Sequence, residues 1–228
     1  MHMKKVTIIL LLLFSGLLTI GQDLDRTFYL LGTLEDYMGR RYPKNNPKEW
    51  SYIQTIHQDR IGEIKRIEEV TGSKFNRRKK QKDFSNCQEF FELKSFCRAK
   101  KINSFYDFSR NNGMRDLLGF TFFTGQLKCN KVLNATNKQQ ISFLAGQFLT
   151  SGEKIGKTYK LTLYNSPDRY GCLIKLLESS ECKIILKEKV NGIPVSYFIV
   201  FEPTDEIMKV LDNEILKEHT LANSTYAQ

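Results

Sequence analysis

Histidine is scarce: the 228-residue chain has three, and one of them is His2. With His57 and His219 the remaining pair, a zinc centre built from histidines has too few ligands. No Gly-x-Ser-x-Gly elbow, phosphate-binding glycine loop, His-Glu-x-x-His pair or dinucleotide fingerprint occurs. The usual marks of motif-bearing hydrolases, nucleotide enzymes and zinc proteases are therefore missing, and no catalytic residue, metal or cofactor is assigned from the sequence. No internal repeat and no low-complexity segment is evident.

Long apolar runs are also missing, with one exception at the start. Lys4 and Lys5 precede an apolar stretch from Val6 to Phe14 that continues through Leu17 and Leu18, with small residues near Gly21. The stretch is shorter than the roughly 20 residues a spanning helix needs, and Asp23, Asp25 and Arg26 follow at once. This order reads as a secretory signal peptide over residues 1–21, cut between Gly21 and Gln22, with Thr19 at the minus-three position. The expected location is periplasmic or secreted, with no transmembrane anchor after cleavage. Cys87, Cys97, Cys129, Cys172 and Cys182 would then meet an oxidising compartment, where an odd count leaves at least one thiol out of any disulfide. Their pairing stays open, as does the reading of several as small buried apolar residues.

Positive charge is what the chain has in excess. Beyond the leader it carries 33 basic and 25 acidic residues. Residues 22–73 and 139–228 are nearly balanced, whereas 74–101 carry 10 basic against 3 acidic. The densest run is "KFNRRKKQKDF", in which Lys74, Arg77, Arg78, Lys79, Lys80 and Lys82 are candidate anion-binding residues, with Phe75 and Phe84 as apolar or stacking partners. It lies between a helix stop at Gly72 and a cap at Ser85, so it also reads as a solvated linker over 74–84, and Arg77 to Lys80 as an exposed proteolytic site.

Hydrophobic spacing predicts helices through the N-terminal half. Leu30, Leu31, Leu34, Tyr37 and Met38 recur at helical intervals up to Arg41, and "NPKEW" signals a second helix carrying Trp50, Ile53, Ile61, Ile64 and Ile67. A short connection makes these two an antiparallel hairpin. Ser85 with Gln88 marks a third helix through Phe90, Leu93, Phe96 and Cys97. Beyond "NNG" (111–113), "FTFFTGQLKC" reads as a strand, and Thr136 with Gln139 as the cap of a helix whose "ISFLAGQF" also suits a strand. "KTYKLTLYN" alternates as a half-buried strand, "SPDRYGCLIKLLESS" is a helix, and "KIILKEKV" and "IPVSYFIVF" form a hairpin turning at Asn191 and Gly192. Thr204 caps a last helix. The expected fold class is α+β: a helical region over 22–113, then 114–218 with a small mixed sheet in β-α-β-β-α order, then a flexible tail over 219–228. The strand-helix-strand unit implies a right-handed crossover between parallel neighbours.

Two polar groupings merit weighing. His57, with Asp59, Arg60 and Glu63 nearby, has the makings of a general base, although a hydrogen-bonded histidine at the helix seam explains it as well. Asn165, Ser166, Asp168 and Arg169 follow a predicted strand, where α/β folds place ligands, yet Ser166, Pro167 and Asp168 are also what starting a helix requires. Glu202 and Asp205 follow an antiparallel strand and fall at the opposite edge of the sheet. The functional expectation is an exported, non-catalytic envelope or secreted binding protein whose partner is an anionic envelope polymer, a lipid headgroup or an acidic protein. Its alternative is a secreted or periplasmic hydrolase without a motif, working through Asp168 or Glu63.

Overall fold

A computed structural model describes residues 23–43, 51–82, 86–108, 114–115 and 121–226. Residues 1–21, read as a signal peptide, together with Trp50, Phe84 and the "NNG" break, lie outside the described residues. Asp25 opens the first helix, α1 (Arg26–Gly32), by accepting the Thr27 and Phe28 N–H groups at 2.9 and 3.0 Å. Then come strands β1 (Arg40–Pro43) and β2 (Tyr52–His57), helix α2 (Ile61–Thr71), strands β3 (Asn76–Lys82) and β4 (Asn86–Lys94), and helix α3 (Phe96–Asn103). An intervening stretch adds β5 (Tyr106–Phe108), β6 (Met114–Arg115), β7 (Thr121–Leu127) and α4 (Cys129–Leu133). The second part runs α5 (Asn137–Ser151), β8 (Gly152–Ile155), β9 (Thr158–Tyr164), α6 (Pro167–Ser179), β10 (Lys183–Val190), β11 (Ser196–Glu202) and α7 (Asp205–Tyr226).

The helical N-terminal half is not what forms, and the described residues show no helix hairpin there. The first helix stops at Gly32, Tyr37 and Met38 are exposed beyond it, and Ile53 and Ile56 belong to strand β2. The helical spacing misleads there because a bulge between Tyr52 and Gln54 turns both Ile53 and Gln54 inward, so a three-residue apolar interval arises without a helix. Residues 86–94 form β4 in place of a helix, its aromatic pair Phe90 and Phe91 suiting a pleated surface. Every described strand pairing is antiparallel, so the sheet is not mixed. The crossover through α6 does join two strands of the same direction, but β11 folds back between them, giving the order β10-β11-β9-β8. The hairpin forms with a longer turn over 191–195, and neither Asn191 nor Gly192 takes a positive φ. The expected tail belongs to α7 as far as Tyr226.

A repeat invisible in the sequence organises the chain. From α1 to α3 and again from α5 to α7 the order is helix, strand, strand, helix, strand, strand, helix. The sheet order β2-β4-β3 in the first unit matches β9-β11-β10 in the second. The two units meet at their first helices. A methyl group on Gly32 would penetrate the carbonyl oxygen of Phe143, and one on Gly146 the carbonyl oxygen of Tyr29; each oxygen lies three residues before the opposite glycine. The reciprocal contact is a local twofold relation, and only glycine allows two helix backbones so close.

Residues 141–148 of α5 are all buried, so this helix is covered on every side and shows no single apolar stripe. Thr136 and Gln139 fix its start as a reciprocal capping box, and the Ser142 hydroxyl accepts the Asp25 N–H at the start of α1 at 2.8 Å. Helix α7 is locked to α2 by a buried cluster: Arg66 pairs with Glu214, which also accepts the Tyr29 hydroxyl at 2.6 Å. Cys129 and Cys172 form a disulfide between α4 and α6, with Cα atoms 5.3 Å apart; Cys97 is an exposed thiol and Cys182 a buried one. Among the described residues no helix is long and apolar enough to cross a membrane.

Candidate functional site

The basic run is a strand. β3 pairs along its whole length with β4, and the register sets Arg77 opposite Phe91, Arg78 opposite Phe90, Lys79 opposite Glu89, Lys80 opposite Gln88 and Lys82 opposite Asn86. Lys74 stands just before the strand, exposed, with its ammonium 3.9 Å from Glu68. Arg77 is exposed as well. Phe75, read as a stacking residue, is instead buried in the core, and its N–H is held by the Glu68 carboxylate at 2.8 Å.

His57 ends β2, with Nδ1 2.7 Å from Asp59 and its ring edge-on to Phe90 at 5.3 Å. Glu63 is gripped by Arg60 through two hydrogen bonds of 2.6 Å. Burial pushes the Glu63 carboxyl up to about 7, against the pull of Arg60. Arg60 also holds Glu35 and the Thr150 carbonyl. These residues form a brace between α2 and the ends of α1 and α5. They do not gather with Asp168, which is exposed at the start of α6; Glu202 pairs with Lys183 at 3.1 Å.

The second grouping comes together around a buried arginine. Ser166 does not cap α6 with its side chain; its hydroxyl lies within 3.0 Å of the carbonyl oxygens of Glu35, Asp36 and Tyr164. The loop after α1 is thereby tied to the turn after β9. Met38 donates to the Asn165 carbonyl at 3.0 Å, and the Asn165 side chain accepts the Val195 N–H at 2.9 Å. Beneath this junction Arg169 pairs with Asp36, donates to Gln147 Oε1 at 3.0 Å and to the Leu31 carbonyl at 3.2 Å, and lies 3.1 Å from the Tyr106 hydroxyl. Tyr106 donates to Asp36 in turn. Burial disfavours the Arg169 charge, but Asp36 and Tyr106 more than restore it, and its pKa is raised. Burial, reinforced by the Asp36 carboxylate, pushes the Tyr106 phenol up as well.

Three non-glycine residues at this junction hold left-handed backbone: Asp36 (φ 43°), Met38 (φ 59°) and Asn165 (φ 46°). Such strain persists only where surrounding contacts impose it. Cavities open on two sides. One of about 410 Å³ is lined by Met38, Tyr106, Asp168 and Tyr197, and one of about 460 Å³ by Glu35, Tyr37, Gln147, Thr150, Ser151 and Tyr164. The carboxylates beside the paired helix ends are engaged by arginines, Glu35 by Arg60 and Asp36 by Arg169. Among the described residues no cluster of three His, Cys, Asp or Glu is placed to hold a metal ion. Sequence reasoning picked out Arg169 and Asn165 but missed Asp36, Tyr106 and Gln147. Their only local signal is the polar "LED" that follows "YLLGT" and the lone Gln147 within "FLAGQF".

No family model and no curated protein matches the chain. Similar solved structures include I-DmoI in complex with DNA and Mn, at 13% identity and TM-score 0.45 over 86% of this chain and 95% of that one. Mesophilic variants of the homing endonuclease I-DmoI match at 14% identity and TM-score 0.45, over 86% and 94%. I-DmoI in complex with DNA and Ca matches at 12% and 0.47, over 86% and 88%. The expected non-catalytic binding protein or motif-less hydrolase, and the anionic envelope polymer, lipid headgroup or acidic protein as its partner, give way to a different likeness: the chain is similar to structures of the homing endonuclease I-DmoI, two of them in complex with DNA.

Proposed function

We propose that this protein binds duplex DNA, with the β3–β4 ribbon against the major groove and the basic residues of β3 neutralising phosphates. The observation that carries the reading is the placement of Arg77, Arg78, Lys79, Lys80 and Lys82 on one regular strand of an antiparallel pair. A major groove about 12 Å wide accepts a two-stranded ribbon. Seven residues of strand extend about 23 Å, the length over which a duplex presents a dozen or so phosphate charges at one per roughly 1.7 Å. A strand fixes the spacing of its charges, whereas a linker would have to be ordered on binding at an entropic cost.

The test is fluorescence anisotropy with a labelled duplex and the full chain. Changing Arg77, Arg78, Lys79 and Lys80 together to glutamine should weaken binding tenfold or more at moderate salt, through the loss of counterion release. The thermal transition is measured alongside, so that lost binding is told apart from lost folding. Unchanged affinity in that variant would refute the assignment of β3 as the contact.

A further inference from the structure

We infer that this protein grips duplex DNA on one side of its local twofold only, through the first unit, so that its site is a single short stretch of duplex and not two half-sites. Strand β3 extends about 23 Å, which is about seven base pairs at roughly 3.4 Å each. The inference rests on the duplex-binding reading and sets the extent of that contact. The internal repeat is what allows it. The sheet order β2-β4-β3 matches β9-β11-β10, so the ribbon β10–β11 is the counterpart of β3–β4 on the other side of the junction between the units. A chain that held two half-sites alike would charge both ribbons alike, and this one does not. Strands β3 and β4 together carry six basic and two acidic residues, β10 and β11 three and two. Within the second ribbon Lys183 is held by Glu202 at 3.1 Å and Lys187 by Glu178 at 2.9 Å. A phosphate must displace a carboxylate to be neutralised by either.

The face that the second sheet turns to solvent is poor in cations as well. Tyr159, Leu161 and Leu163 of β9 and Ile199 and Phe201 of β11 are buried, so the residues alternating with them form the outer face. Across that face the register sets Lys160 between Glu153 and Val200, and Val200 beside Leu186. The next row runs from Thr162 through Phe198 to Glu188, and the one after it from Tyr164 through Ser196 to Val190. Lys160 is the one cation in these three rows. It bonds Glu153 at 3.4 Å and sits 5.5 Å from the Phe198 ring, while Glu188 adds a second acid. Leu186 and Val190 are each 43% exposed. The outcome is a weakly acidic, partly apolar surface. Phosphates brought against it meet a charge of their own sign and gain no counterion release, the term that supplies most affinity for a duplex.

Hydrogen–deuterium exchange of the full wild-type chain, with and without a duplex of about 24 base pairs, tests this directly, since that length holds two half-sites one helical turn apart. Exchange should slow in peptides covering residues 74–94 and stay unchanged in those covering 183–202. Changing Lys183, Lys187 and Lys189 together to glutamine should leave duplex affinity within about twofold of the wild type and the salt slope within about half a unit. Glu188→Lys, which adds a cation to the second sheet, should leave the slope unchanged too. Protection of both ribbons would overturn the one-sided grip and leave the β3 assignment standing. So would a slope that falls by about 2 to 3 units in the triple variant, or one that steepens by about 1 in Glu188→Lys. Protection confined to 183–202 would overturn the grip and the β3 assignment together, and a chain that binds no duplex would overturn the reading on which both rest.

Discussion

Valine at Gly146 should destabilise the protein by about 3 kcal/mol or more, the upper range for overpacking a filled core. Gly146 meets the Tyr29 carbonyl and the Thr33 N–H of the facing helix with no space for a side chain. The helices must separate to admit one, and the buried residues on both would lose contact together. Gly171 supplies the control: it sits inside α6, and a Cβ added there would meet nothing within 4 Å. Alanine there should stabilise by roughly 0.5 to 1 kcal/mol through helix propensity alone. Urea unfolding of the two variants separates these signs. Equal behaviour at both positions would contradict the close helix approach on which the repeated units depend.

Arg169→Met should cost about 3 to 5 kcal/mol, because it strands the Asp36 carboxylate in a buried site. The side chain of Arg169 is 1% exposed and that of Asp36 8%. The loss also removes the donors to Gln147 and to the end of α1. Adding Asp36→Asn to the methionine variant should recover part of the loss, since asparagine is neutral, still accepts from Tyr106 and tolerates the positive φ at this position. A coupling of roughly 1 to 3 kcal/mol in the resulting double-mutant cycle is the expected signature of a directly bonded pair. Additive losses would mean that Asp36 and Arg169 do not act on each other.

Some local signals are realised and others are not. The Thr136–Gln139 capping box, the alternation of Tyr159, Leu161 and Leu163, and Pro167 at the start of α6 are realised as read. Failure came where tertiary pairing overrides spacing. Ile53 reads as helical although it lies on a bulged strand, and the basic run looks like a linker because its partner strand itself reads as a helix. The twofold relation escaped because it rests on two glycines and on backbone contact, while the surrounding side chains differ. "LLGTLED" and "LAGQFLT" share a leucine and a glycine two positions on, and little else. The buried arginine site was half legible for a related reason: Arg169 stands out beside Ser166 and Asp168, but Asp36 and Tyr106 arrive from more than 60 residues away.

The most direct test of the account is the salt dependence of duplex binding by the wild-type chain. If the residues of β3 neutralise four or more phosphates, the logarithm of the binding constant should fall linearly against the logarithm of salt concentration with a slope of about −4 or steeper. The glutamine variant at positions 77–80 should show a slope shallower by about 3 to 4 units. A wild-type slope near zero, or one that the four substitutions leave unchanged, would contradict phosphate contact through the basic strand.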